Sequence, residues 1–327
     1  MSGRSRFAWA AALLVSVAAL AADEEPWTWA GIEILGNHDV PREEIEKLVE
    51  VPIGEGYSVG DAPFWKDACA AVRQRYDLAA VNCPDGPLRV FDGRKAYLVV
   101  DIVEKGNERL LQFRKPPSKN VPLENDEMRR VFDELSDKTL KAAMAGHPYQ
   151  EDGAKGYLVY VAREGAEDVS PLVERLAEIV PQHRDNLLAV LRDEKDLGQR
   201  RTAANLLNWA GGDLEKLIRS SMPHLDDPDA GVRNNVSRFM IAFVDRVKKK
   251  SLRHDLIDAF VLQIQRPSHG DRNKGIYNLL EIAQKWPEDR AHIRNSGGAT
   301  LRYLADNSIV FNVRDPAREL LALVETP

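Results

Sequence analysis

The chain has 327 residues, 44% of them hydrophobic and 29% charged, which excludes a disordered polymer and suits about two folded domains. Its formal charge of -6 excludes the broad basic face that nucleic-acid binding demands. The run Lys248-Lys249-Lys250 does not alter this, because it falls at the expected end of a helix, where cations suit the macrodipole and solvent.

Arg4 and Arg6 precede an apolar run from Phe7 to Leu20, and Ala19-Leu20-Ala21 supplies small residues at the spacing a signal peptidase needs. The run, about 14 residues, is short for a bilayer span and reads as a secretory signal cleaved near Ala21 or Ala22, with an uncleaved anchor as the alternative. Removing residues 1–22 leaves 43 basic against 51 acidic residues, a formal charge of -8. Export would place the protein in a periplasmic or secreted setting, where disulfides persist.

From Trp27 to Leu35 the residues alternate, with Ala30, Ile32 and Ile34 on one face and Trp27, Trp29, Gly31 and Glu33 on the other, which predicts a strand. Gly36-Asn37-His38-Asp39 predicts a turn, and Pro41 with Glu43 and Glu44 predicts the first turn of a helix carrying Ile45, Leu48 and Val49. A second helix carries Trp65, Cys69, Val72 and Tyr76, and two further strands run over Leu78 to Cys83 and Ala96 to Glu104. The spacing Gly54-x-Gly56-x-x-x-Gly60 superficially suggests a phosphate loop, but it lies between two helices and lacks a following lysine, so it reads as a turn.

The set Ile32-x-Ile34-x-Gly36-Asn37, Val40-x-x-Glu43-x-Ile45, Gly54-x-Gly56-Tyr57, the stretch Val72 to Val81, and Val100-x-Ile102-Val103-Glu104 resembles the polypeptide-transport-associated (POTRA) domain of bacterial envelope proteins. The resemblance covers residues 27–114. It implies a βααββ fold whose first and third strands are neighbours and whose second strand forms a sheet edge. An extended segment could add to such an edge through main-chain hydrogen bonds. With that topology, Trp27, Trp29, Tyr97, Val99 and Val103 would share the sheet face away from the two helices. That apolar patch is either covered by the chain's own helices or serves as a partner-binding platform.

Residues 115–156 form a junction, interrupted by Pro116, Pro117 and Pro122 and holding one helix over 127–145. Beyond it, residues 157–327 predict helices over 169–180, 182–193, 198–210, 213–225, 230–248, 251–266, 271–286, 298–306 and 313–325. Asp193-x-x-Asp196-x-x-x-Arg200-x-x-Ala203-x-x-x-Leu207 recurs as Asp226-x-x-Asp229-x-x-x-Arg233-x-x-Val236-x-x-x-Met240, with looser echoes at Arg272 and at Val313-Arg314. This half resembles HEAT and HEAT-like repeats. The resemblance implies a solenoid in which Asp196, Arg200, Asp229, Arg233, Arg272 and Arg314 form a structural polar ladder.

The expected fold class is thus an α+β N-terminal domain followed by an all-α helical-repeat solenoid. Cys69 and Cys83, the only cysteines, predict a disulfide stapling helix to strand, with two buried thiols as the alternative. The seven histidines show no metal spacing, and no carboxylate pair stands out as acid and base, so no catalytic residue, metal, cofactor or small-molecule ligand is expected. The expected function is a non-catalytic scaffold or interaction protein of the bacterial envelope. Its expected partners are proteins or extended peptide segments and not nucleic acid, and the POTRA resemblance is compatible with peripheral association with an outer-membrane complex. The alternative is a lyase or hydrolase using the concave face of the array, which would need Arg200, Arg201, Asn205, Asn208 and Trp209 to line one pocket.

Overall fold

The structure is a computed structural model and describes residues 27–57, 65–84, 86–90, 92–147, 149–162 and 164–326. The expected secretory signal over residues 1–22 lies outside them, as does Gly60. Packing divides the chain into two compact units, Pro116–Ser221 and a second that joins residues 27–115 to residues 222–326. The second unit therefore groups the N-terminal sheet with the last helices of the chain, a grouping that sequence order does not display.

In that second unit the described elements begin with β1 (Trp27–Leu35), α1 (Arg42–Leu48), β2 (Gly56–Tyr57), α2 (Trp65–Arg75), β3 (Ala80–Asn82), β4 (Leu88–Val90) and β5 (Lys95–Val103). The sheet order is β2-β1-β5-β3, and β4 also pairs with β5. β1 and β5 run parallel, while β2, β3 and β4 pair antiparallel with their neighbours. Cys69 on α2 and Cys83 just after β3 form a disulfide with Cα atoms 6.3 Å apart, tying helix to sheet edge.

The face assignment of β1 needs correction. Its register against β5 runs Trp29 to Ala96 and then Gly31 to Tyr97, so Ala30 is an extra residue, a β-bulge. A one-residue insertion inverts the alternation that follows it. Trp27 and Trp29 therefore lie with Ile32 and Ile34 in the core shared with Ile45, Val49, Cys69 and Val72, on the side of α1 and α2. Gly31 permits the bulge's close packing, since a Cβ there would sit 2.8 Å from Ile309 Cδ1.

The opposite face of β5 packs on the chain's own C-terminal segment. Tyr97 clusters with Val90, Val310, Ile309 and Phe311, and Val99 and Val103 are both buried. Burying a large apolar side chain contributes roughly 1.5–3 kcal/mol, so covering this face is a sizeable part of the unit's stability. The covering helices are α10 (His269–Lys285), α11 (Arg290–Asn307) and α12 (Phe311–Glu325), preceded by α8 (Ala230–Phe243) and α9 (Lys250–Gln265). α10 is the central member and packs on α8, α9 and α12.

The unit Pro116–Ser221 holds α3 (Asp126–Met144), α4 (Ser170–Ile179), α5 (Arg184–Asp193), α6 (Leu197–Leu206) and α7 (Leu214–Ser221). A short hairpin of β6 (Gln150–Asp152) and β7 (Val159–Val161), absent from the sequence reading, follows α3. Its Tyr160 ring lies 6.4 Å from Trp209, which in turn faces Phe132. Apart from this hairpin and an earlier start of α11, the helices fall close to the spans the periodicity predicts.

Candidate functional site

The five residues of the expected platform, Trp27, Trp29, Tyr97, Val99 and Val103, are all buried, on two different faces. The sheet edge is also occupied. Arg73 donates from Nε (3.1 Å) and Nη2 (2.8 Å) to the Val81 carbonyl of β3, and Asn82 donates its amide to Pro267 O at 2.8 Å. A strand of three residues whose Val81 carbonyl is already bonded by Arg73 is a poor template for an added strand.

The ladder residues bond within their own segments, and Arg233 and Arg272 also reach beyond them. Asp196 and Asp229 cap the N-termini of α6 and α8 by accepting from Gln199 N and Val232 N. Arg200 donates to the carbonyls of Glu194 and Lys195, and Arg233 to those of Asp227 and Pro228, five and six residues upstream. Arg253, which the repeat pattern passes over, does the same with Val247 and Lys248 and pairs with Asp289. Arg233 also forms a buried pair with Asp271 at 2.7 Å. Arg314 departs from the scheme: its Nε donates to its sequence neighbour Asp315 at 2.8 Å. The residues proposed to line an enzyme pocket are likewise structural in their contacts. Asn205 donates to Arg201 O, Asn208 to Asn205 O, and Trp209 is buried in an aromatic cluster.

A cleft of about 270 Å³ in the second unit is the candidate site. It opens where the C-terminal ends of β1 and β5 meet the end of α9 and the middle of α11. Gly36 ends β1 with φ +82°, and a Cβ there would sit 2.0 Å from Ile102 O, so only glycine fits. Its N–H donates to Tyr303 Oη at 2.8 Å, and Tyr303 donates onward to Asn37 Oδ1 at 3.1 Å. His38 lies exposed over the Tyr303 ring, centroids 4.6 Å apart. After β5, Glu104 accepts from Asp39 N at 2.6 Å, and a turn brings Arg109 to Gln265 Oε1 at 3.0 Å. Leu35, Ile102, Leu110, Ile264 and Leu304 supply apolar lining.

One wall of the cleft is Arg272, the centre of a buried charge cluster. Its Nη2 pairs with Asp101 at 2.5 Å, and its Nη1 donates to Arg266 O at 2.9 Å. Glu33, fully buried, accepts from Ser308 Oγ (2.6 Å) and Ile309 N (2.8 Å). Burial pushes the Glu33 carboxyl above its ordinary range, against the opposing pull of those two bonds and of Arg272. Burial likewise raises Asp101, despite its guanidinium partner. Sequence spacing carried no hint of this cluster, because its members come from β1, β5, α10 and the segment before α12.

The fold also pairs two histidines that looked scattered: His254 and His292 stack with centroids 4.3 Å apart, facing Asp289 and Asp258 respectively. Among the described residues, no group of three or more His, Cys, Asp or Glu is placed to hold a metal ion, and no helix is long and apolar enough to cross a membrane. Comparison with family models, with curated proteins and with solved structures finds no match.

Proposed function

We propose that this chain is an exported, non-catalytic interaction protein of a bacterial cell envelope, whose cleft between the sheet and the last helices receives a segment of a partner protein. The apolar run behind Arg4 and Arg6 supports export, and the Cys69–Cys83 disulfide is compatible with an oxidising compartment. In this reading the N-terminal sheet is POTRA-like, the helical segments are HEAT-like, and the protein sits peripherally on an outer-membrane complex.

The cleft carries the reading, because it combines apolar lining with a few convergent polar groups, as recognition sites do. Its small volume suits a short segment more than a folded surface. A photo-crosslinking residue in place of Thr300, which lines the cleft, should yield discrete protein adducts in intact envelopes, identified by mass spectrometry. The same probe at exposed Glu43 on α1 should not. Equal or absent adducts at the two positions would remove the cleft from the proposal.

A further inference from the structure

The cleft's polar groups narrow what its occupant must look like. Arg272 is 3% exposed and lines the wall; two of its nitrogens are engaged as described, while Nε is buried without a hydrogen bond. Arg109 stands exposed at the rim, with Nη2 on Gln265. Glu104, 8% exposed, engages one carboxylate oxygen with Asp39 N, leaving the second for a donor. Ile264 and Leu304 add apolar lining.

We infer that the cleft binds the C-terminal residue of a polypeptide ending in an apolar side chain. The terminal carboxylate meets the guanidinium of Arg109 in the field of Arg272, the last amide N–H donates to Glu104, and the side chain lies on Ile264 and Leu304. The inference rests on the cleft being the recognition surface. Three features favour a chain end over a passing segment. An internal backbone brings no charge to the exposed guanidinium of Arg109, whereas a carboxylate gains charge-assisted bonds from it. A cavity of about 270 Å³ lies just under the span of about 300–1,000 Å³ typical of small-ligand pockets, which is room for one or two residues. The acceptor on Glu104 answers the one donor that a terminal residue still carries beside its carboxylate.

The test uses the full chain, isotope-labelled, with three probes titrated at millimolar concentration: N-acetyl-leucine, N-acetyl-leucinamide and leucine. The amide resonances of Gly36, Asn107 and Thr300 report binding. N-acetyl-leucine should shift all three. The amide probe, which lacks the charge, should bind about tenfold more weakly or worse, since bonds to charged groups are the strong ones. Arg109→Ala, a change at an exposed position, should weaken N-acetyl-leucine by about the same factor while leaving the amide probe unaffected. Equal binding of N-acetyl-leucine and its amide, or no shift with any probe, overturns the inference. Tighter binding of leucine than of N-acetyl-leucine also overturns it, by assigning the site to a free amino acid. If adducts form at Thr300 while N-acetyl-leucine leaves the resonances unmoved, the interaction role survives and the chain-end assignment alone fails.

Discussion

Replacing Arg272 by methionine is the sharpest probe of how the sheet is held to its covering helices. Methionine keeps much of the side-chain length and removes the charge. Asp101 then loses its guanidinium partner, and Arg266 O loses a donor, while Glu33 keeps Ser308 and Ile309. Removing one partner of a buried ion pair costs about 3–5 kcal/mol, because the remaining charge stays desolvated. The pH dependence has a definite sign. Asp101 and Glu33 are already raised by burial, and losing Arg272 removes an interaction that lowers both. An acid raised in the folded state supports stability below its unfolded pKa, and that support is lost as pH rises through the folded value. Arg272→Met should therefore lose more stability at pH 8 than at pH 5. The double variant Asp101→Leu/Arg272→Met removes both charges and should recover most of the loss, since apolar replacement of a buried pair is often neutral or better. Urea denaturation at the two pH values, read as midpoint and slope, measures all four quantities. A loss below about 1 kcal/mol for the single variant at pH 8, or a double variant no more stable than the single, would refute the reasoning.

Three further changes test the electrostatics and the staple. Reducing Cys69–Cys83, or replacing both by serine, should cost about 3 kcal/mol by freeing a loop of about 15 residues in the unfolded chain, seen as a lower urea midpoint. Glu281 on α10 is raised to about 7, by burial first and then by Asp245 and Glu319. Its contribution is present below pH 4.5 and lost as pH rises through about 7, so Glu281→Gln should stabilise at pH 8 by up to about 3 kcal/mol and change little at pH 4, as shown by melting both proteins in parallel. His269 is held down to about 3 by burial, then by Arg272 and Lys274, so its contribution is present above pH 6.5 and lost on acidification. By pH 5 that loss is about 2 kcal/mol, and His269→Leu should abolish it; an unchanged acid profile in the variant would show that another group sets the limit.

The local elements were legible because local rules govern them. Periodicity placed the helices, and an even pair of cysteines announced the staple. The faces of β1 were misread for one reason: a bulge at Ala30 inverts the alternation, and no residue pattern flags the extra residue except Gly31 beside it. The cleft and the charge cluster were not legible at all. Glu33 and Ser308 are 275 residues apart in sequence and Asp101 and Arg272 are 171, so nothing local couples them. The arginine pattern at Arg233 and Arg272 was visible, yet only the fold shows that one pairs with Asp271 within the helices and the other crosses to Asp101 on the sheet.

Placing charges in an otherwise apolar interface has a physical logic that bears on the cleft. The face of β5 carrying Tyr97, Val99 and Val103 could slide along the helices at small cost if it were wholly apolar, because burial is non-directional. Asp101 in the same row accepts only where Arg272 stands, and Glu33 on the neighbouring strand accepts only at Ser308 and Ile309. These directional bonds fix the register of sheet on helices, and with it the spacing between Gly36 and Tyr303 that shapes the cleft. The Asp101→Leu/Arg272→Met protein separates stability from register. It should remain folded, yet the amide resonances of Gly36 and Thr300 should broaden or split as the interface samples more than one alignment. Sharp, unshifted resonances at both positions would show that apolar packing alone sets the alignment.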